Sequence, residues 1–167
     1  LPRPEGLYRL LKERIITGFS SYLKTAAPEE AFDLFTRFRI LCALREGPFG
    51  VYALNLLAEQ VLRKEGLIQQ EGRWYFGRPV MITRNDYNLK LFNGDVGIIL
   101  PDSASSHEPR AYFPSEEGTI RKFPPLRLPE HETVYAVTVH KSQGSEFNRV
   151  LLLLPDVATP VLTRDLI

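Results

Sequence analysis

The chain has 167 residues, of which 44% are hydrophobic and 25% charged, with 21 lysines and arginines against 20 aspartates and glutamates. That length suits one moderate domain, or one domain carrying a small insertion, and the hydrophobic share excludes a disordered chain. With a formal charge of +1, total charge says little about a polyanionic partner, so any nucleic-acid surface must come from local arrangement.

The single cysteine, Cys42 in "RILCAL", excludes an intrachain disulfide, fits a reducing compartment and reads as a small core residue. No apolar run approaches the ~20 residues of a membrane helix, and no signal peptide is visible. The first residue is leucine and "VLTRDLI" reads as the opening of a helix, so the expectation is a piece of a longer protein.

Taken in chain order, residues 5–24 carry Leu7, Leu10, Leu11, Ile15, Phe19, Tyr22 and Leu23 at spacings of three and four, which predicts an amphipathic helix. Pro28, followed by two acids, starts a second helix. "RILCAL" (39–44) predicts a buried strand, "REGPFG" a loop, and "VYALNLLAEQVLRKEG" a third helix stopped by Gly66. From about Gly72 to Glu130 the pattern changes to short β-rich pieces. "RPVMITRND", "DVGIILP", "RAYFP", "TIRKFPP" and "LRL" predict strands, with Asn93-Gly94-Asp95 as a turn. This stretch reads as a small all-β unit, a barrel. "TVYAVTV" and "RVLLLL" then return as nearly continuous apolar strands, the pattern of a parallel sheet covered on both faces. The expected architecture is an α/β domain interrupted by a β-barrel.

Several chemistries have no support. There is no G-x-x-x-x-G-K-[ST], G-x-S-x-G, H-E-x-x-H or cysteine cluster, and His107, His131 and His140 are scattered, so no metal site is expected. Three segments remain. "VTVHKSQGSEF" follows a buried strand, where open α/β sheets bind ligands. His140 and Lys141 can donate to phosphate oxygens, as can Thr138 if it faces outward. Gly144 permits close backbone approach, and Glu146 can accept from ribose hydroxyls. A solvated loop explains the same pattern. In "ALREGPFGVYALN", Arg45, Gly47 and Gly50 lead into a helix start, which is either an anion site or an ordinary strand–loop–helix connection. In "GRWYFGRPVMITRNDYNLKLFNGDVG", Arg73, Arg78, Arg84 and Lys90 are mixed with aromatics, a composition suited to single-stranded nucleic acid. Phe76 and Phe92 are better read as barrel core, whereas Tyr87, between Asp86 and Asn88, is the candidate exposed ring.

The blocks "AVTVHKSQGSEF", "ALREGPFG" and "RPVMITRNDYNLKLFNGDVGIIL" resemble the C-terminal part of the RecD family, the alpha subunits of exodeoxyribonuclease V, which are superfamily 1B DNA helicases. The resemblance runs from about residue 30 to the end. It implies that 1–71 and 131–167 form part of the second RecA-like (P-loop NTPase type) motor domain, and that 72–130 is an inserted SH3-like barrel. "TVHKSQGSEF" is similar to helicase motif V. On that basis Thr138, His140 and Lys141 lie toward DNA, Gly144 and Glu146 toward ATP, and Arg45 and Gly50 form a second DNA-backbone contact. Arg84, Asn85 and Tyr87 are expected on the barrel surface that meets single-stranded DNA.

The family's Walker A and B motifs lie upstream of these blocks, and its arginine finger follows "LTRDLI". The chain alone is therefore expected not to hydrolyse ATP, with ATP and Mg²⁺ held mostly by residues outside it. The resemblance further implies an ATP-driven 5′–3′ helicase of double-strand break repair and recombination. Its setting would be the bacterial cytoplasm, with single-stranded DNA and the RecB and RecC subunits as partners. The residues alone leave two alternatives: a non-catalytic single-strand-binding module, or a structural subunit with an inactive motor.

Overall fold

A computed structural model describes residues 4–69, 72–115 and 117–155. Helix α1 (Pro4–Phe19) buries Leu11, Ile15 and Phe19, spaced four apart on one face. Leu10, read from the sequence as part of that face, is 69% exposed. Tyr22 and Leu23, read as a continuation of the helix, belong instead to a separate 3-10 turn, Tyr22–Lys24. Helix α2 (Pro28–Thr36) starts on Pro28, whose missing N–H costs nothing at a helix start. Helix α3 (Val51–Lys64) ends just before Gly66, which adopts a left-handed φ of 69°.

Strand β1 (Phe38–Cys42) is the centre of a three-stranded parallel sheet, flanked by β7 (Ala136–Thr138) and β8 (Arg149–Leu153). Ile40 aligns with Ala136 on one side and Leu151 on the other. The second sheet is antiparallel, in the order β5 (Ile120–Phe123), β4 (Pro109–Pro114), β3 (Val96–Pro101), β2 (Pro79–Ile82), β6 (His131–Thr133).

Three expectations about the strands need correction. "TVYAVTV" is not one strand: β6 pairs antiparallel with β2, and β7 pairs parallel with β1. Of this stretch only Thr133 belongs to β6, Val134 and Tyr135 link the strands, and Ala136–Thr138 form β7; the run from Thr133 to Thr138 is apolar or β-branched throughout, so it carries no mark of the change of sheet. "LRL" is not a strand, because its first two residues fall in the 3-10 turn Pro125–Arg127. Pro124 and Pro125 have no N–H to give to a ladder. Finally, β8 is not covered on both faces among the described residues: Val150 is 52% and Leu152 40% exposed, while Leu153 is buried.

The two sheets share a core. Phe19 is its hub, with ring centroids 5.0 Å from Phe38, 5.1 Å from Tyr135, 6.0 Å from Phe35 and 6.1 Å from Tyr22. Ile98, Leu100 and Tyr112 of the antiparallel sheet reach the same cluster. The buried tyrosines satisfy their hydroxyls internally. Tyr22 donates to the Gly77 carbonyl (2.8 Å), and Tyr75 donates to Glu59 (2.7 Å) while lying 3.1 Å from the Tyr135 hydroxyl. The opposite face of the antiparallel sheet encloses Val80, Ile82, Leu91, Ile99, Ala111 and Phe113. Cys42 is buried as expected, and burial pushes its thiol up to about 12.

Candidate nucleic-acid interface

Strands β1 and β7 are parallel neighbours, so the segments leaving their carboxyl ends emerge side by side. After β7 the chain turns at once: the Val139 amide donates to the Cys42 carbonyl (3.1 Å), and His140–Ser142 form a 3-10 turn. Thr138 Oγ1 accepts from the Lys141 amide at 3.3 Å, so this hydroxyl braces the turn. His140 and Lys141 are exposed. Gly144 has φ of 82° with open space where a Cβ would stand, so backbone conformation rather than crowding calls for glycine there.

After β1, Gly50 is the N-cap of α3, and a Cβ on it would lie 2.4 Å from the Glu46 carbonyl oxygen. Close packing of the loop against itself accounts for this glycine. The amides of Gly50, Val51 and Tyr52 donate to the carbonyls of Gly47, Leu44 and Arg45 (3.0–3.2 Å). These donors at the helix start are therefore occupied within the loop, which leaves the Arg45 side chain as the loop's exposed cation. Arg45 donates to the Tyr52 hydroxyl (2.7 Å) and pairs with Glu132 (3.3 Å). Lys141 approaches the other oxygen of the same carboxylate, at 3.8 Å. Arg45, Tyr52, Thr83, Asn93, Glu132 and Lys141 border one hollow of about 330 Å³.

Lys141 also borders a second cleft of about 430 Å³, with Ser142, Ser145, Glu146, Phe147 and Arg39. Glu146 thus lies across Lys141 from the hollow that holds Arg45. Gly144 is on the connecting turn and lines neither space.

Arg84, Asn85 and Tyr87 stand on the loop between β2 and β3, which leaves from the hollow's edge at Thr83. An isolated bridge joins Asp86 and Leu91. Asp86 Oδ1 accepts from the Asn88 and Leu89 amides (3.0 and 2.9 Å). Arg121 donates to the carbonyls of Leu89 and Lys90 (2.9 and 2.8 Å). Asn85 accepts from the Asn93 amide (2.8 Å), so its carbonyl braces the loop. Tyr87 is 75% exposed, as the sequence predicts. Phe92, read as core, is 42% exposed and meets Tyr87 edge-on at 5.9 Å; Leu91 fills the interior instead. Phe76, also read as core, is half-buried. The hydrogen-bonded loop therefore presents two outward rings, with Arg84 exposed beside them.

Glu132, Tyr52 and Arg39 carry no functional cue in the sequence. Glu132 sits in "HETVY" with no spacing cue, because its meaning depends on which sheet His131–Thr133 joins.

Residues 133–167 match a family described as the UvrD-like helicase C-terminal domain. The chain is 42% identical over 137 residues to the RecBCD enzyme subunit RecD of Mycolicibacterium smegmatis, covering 82% of this chain and 24% of that protein. It is 38% identical over 135 residues to the RecD subunit of Haemophilus influenzae (80% and 19%). It is 32% identical over 131 residues to the ATP-dependent RecD2 DNA helicase of Deinococcus radiodurans (77% and 18%). The chain thus spans about a quarter or less of the length of these curated relatives. Among solved structures, a Bacteroides Pif1 helicase in complex with ADP-AlF3 and single-stranded DNA aligns with a TM-score of 0.41 and 18% identity, over 87% of this chain and 42% of that one. The sequence matches, and not that structural likeness, assign the family: the chain is a RecD-like helicase C-terminal region.

Proposed function

We propose that the chain is the C-terminal part of an ATP-dependent 5′–3′ DNA helicase of the RecD kind, acting on single-stranded DNA in bacterial double-strand break repair. In this reading residues 1–71 and 131–167 belong to a RecA-like motor domain, and the antiparallel sheet is an SH3-like barrel inserted at 72–130. RecB- and RecC-like subunits are the expected partners, and the bacterial cytoplasm the expected compartment. The observation that carries the reading is the convergence of Arg45 and Lys141, from two parallel strand ends, on one hollow. A braced loop bearing Arg84 and Tyr87 leaves from that hollow's edge. Cations can hold successive phosphates while an exposed ring stacks on a base. From Arg73 to Arg127 eight lysines and arginines face six acids, so affinity depends on a few placed contacts rather than on net charge.

The second cleft fits part of a nucleotide. Of its two carboxylates, Asp95 accepts from the Phe92 amide, and Glu146 suits ribose hydroxyls; Lys141 and Ser145 supply donors, the Ser142 hydroxyl being given to the Val139 carbonyl. ATP would supply the free energy for closing this domain against its partner motor domain. Among the described residues no group of three or more His, Cys, Asp or Glu is placed to hold a metal ion, so Mg²⁺ would need ligands from elsewhere in a longer protein. The chain alone is expected to turn over no ATP, because it has no phosphate-loop lysine.

The test is fluorescence anisotropy of a labelled oligo-dT strand over a salt series, with melting temperatures alongside. Arg45→Ala, Lys141→Ala and Arg84→Ala should each weaken binding and lower the salt slope by about 0.7. Tyr87→Ala should weaken it by about 1–3 kcal/mol with the slope unchanged. Unaltered binding in all four variants, with lowered melting temperatures, would show these side chains to be braces and refute the reading.

A further inference from the structure

Glu132 places a carboxylate between the two cations that face the proposed DNA path. It stands on β6 of the antiparallel sheet, whereas Arg45 and Lys141 belong to loops of the parallel sheet. Its two oxygens divide between them: Oε2 is 3.3 Å from Arg45 and Oε1 3.8 Å from Lys141. The Glu132 side chain is 22% exposed, against 30% for Lys141 and 44% for Arg45, so solvent weakens these pairs without removing them and leaves both cations within reach of an outside anion. A stabilising role alone would need only one pair, whereas here a single acid takes both cations of the hollow.

We propose that Glu132 is a competitor for the DNA phosphate: an internal carboxylate that occupies Arg45 and Lys141 until a backbone phosphate displaces it. This inference rests on the reading that Arg45 and Lys141 contact DNA. It adds a residue that sets the strength of that contact and couples it to the fold. Phosphate and carboxylate are both anions that accept from guanidinium and ammonium groups, so they compete for the same donors. With Glu132 in place the three side chains carry a net charge of +1. Binding is held below what two free cations would give, which suits a protein that must release each phosphate as it moves. Displacement also frees a contact between the two sheets, so a phosphate at this hollow loosens β6 from the loops after β1 and β7.

The experiment is oligo-dT binding over a salt series by the chain and its variants. Glu132→Gln should tighten binding about fivefold to tenfold at low salt and raise the salt slope by about 0.7. Glu130→Gln removes the same charge from the border of the same hollow, where that acid forms no ion pair among the described residues. It should change affinity less than about twofold. In an Arg45→Ala, Lys141→Ala background Glu132→Gln should bring no gain. A second measurement leaves Glu132 intact: carbodiimide should form a zero-length cross-link between Lys141 and Glu132, mapped by mass spectrometry, and oligo-dT should suppress it. Equal effects of Glu132→Gln and Glu130→Gln, weaker or unchanged binding in Glu132→Gln, or a cross-link yield indifferent to DNA would each overturn the proposal. If Arg45→Ala and Lys141→Ala bind like the unaltered chain, or the unaltered chain does not bind, the DNA reading itself fails. If those two weaken binding and Glu132→Gln does not strengthen it, only the competitor role fails.

Discussion

Asn55 offers the sharpest test of how the site is supported. It lies on α3, is 8% exposed, and faces Ala136 of β7. Its Nδ2 donates to the Ala136 carbonyl (3.2 Å), and its Oδ1 accepts from the Ala136 amide (2.9 Å). Strand β7 has one neighbour in its sheet, so this side chain acts as the missing strand on the other side. Asn55→Ala would leave an amide and a carbonyl without partners at a residue only 1% exposed. Each such group costs about 1–3 kcal/mol. The better helix propensity of alanine returns up to roughly 0.7 kcal/mol. The expected net loss is about 1–6 kcal/mol, or a fall in melting temperature of roughly 3–24 °C for a domain of this size. Asn55→Asp separates the two bonds. It keeps the acceptor, but at neutral pH it turns a carboxylate oxygen toward the Ala136 carbonyl. Protonation restores a donor, so its deficit relative to the unaltered chain should shrink as pH falls. Urea denaturation at several pH values reads both effects. A loss below about 1 kcal/mol for Asn55→Ala would mean that other groups satisfy Ala136, and the argument would be wrong.

Three further outcomes follow from the geometry. Gly50→Ala puts a Cβ 2.4 Å from the Glu46 carbonyl oxygen, so the loop carrying Arg45 must shift; a lower melting temperature together with weaker oligo-dT binding is expected, and unchanged values of both would contradict the packing described. His131 has its pKa lowered, first by burial and also by Arg78 and Arg73, against the opposing pull of the Pro129 carbonyl. The unfolded chain therefore takes up this proton first, near pH 6.5, and the stability held above that pH declines as pH falls through the depressed folded value. His131→Gln should flatten this slope between pH 7 and 5, and an unchanged slope would assign it to other groups. Cys42, with its thiol pushed up to about 12 by burial, should resist iodoacetamide at pH 8 in the native chain and react fully in denaturant; rapid native labelling would show that β1 is open to solvent.

Legibility in the sequence followed locality. The helices were readable because their cues are local: Pro28 at a start, Gly66 past an end, and apolar residues on the helical period. Arg45, Lys141 and Tyr87 were readable as exposed groups next to strand ends or turn residues. What failed depended on partners far along the chain. Phe92 and Leu91 are adjacent and both apolar, and only the Asp86–Leu91 bridge decides which one points inward. Glu132 gains its ion pair from Arg45, 87 residues away. The change of sheet within "TVYAVTV" was invisible because a strand's composition does not tell which neighbour it will take.

That change of sheet is also what makes the site one mechanical unit. Between β6 and β7, the Val134 amide donates to the Pro79 carbonyl of the antiparallel sheet (3.1 Å), while its carbonyl accepts from Arg39 of the parallel sheet (2.9 Å). Arg39 is 5% exposed, and burial lowers its pKa to about 10, so it remains charged at neutral pH. Its guanidinium lies over the Phe35 ring at 4.1 Å and 5.3 Å from the Phe147 ring, while its Nε has no partner. A buried charge held in this way resists displacement, since any movement that breaks the Val134 bond leaves it with fewer donors satisfied. Phe147 directly follows Glu146, so the crossover, the carboxylate proposed to face a nucleotide and helix α2 are tied through one side chain. A push on the segment from Lys141 to Glu146 can then reach β6 by two routes: rigidly through Arg39 and Val134, and through the exchangeable Glu132 ion pairs. The rigid route holds the two sheets together at Val134, and, if Glu132 competes with a phosphate as proposed, the second route would let an anion at the hollow change how tightly they are joined.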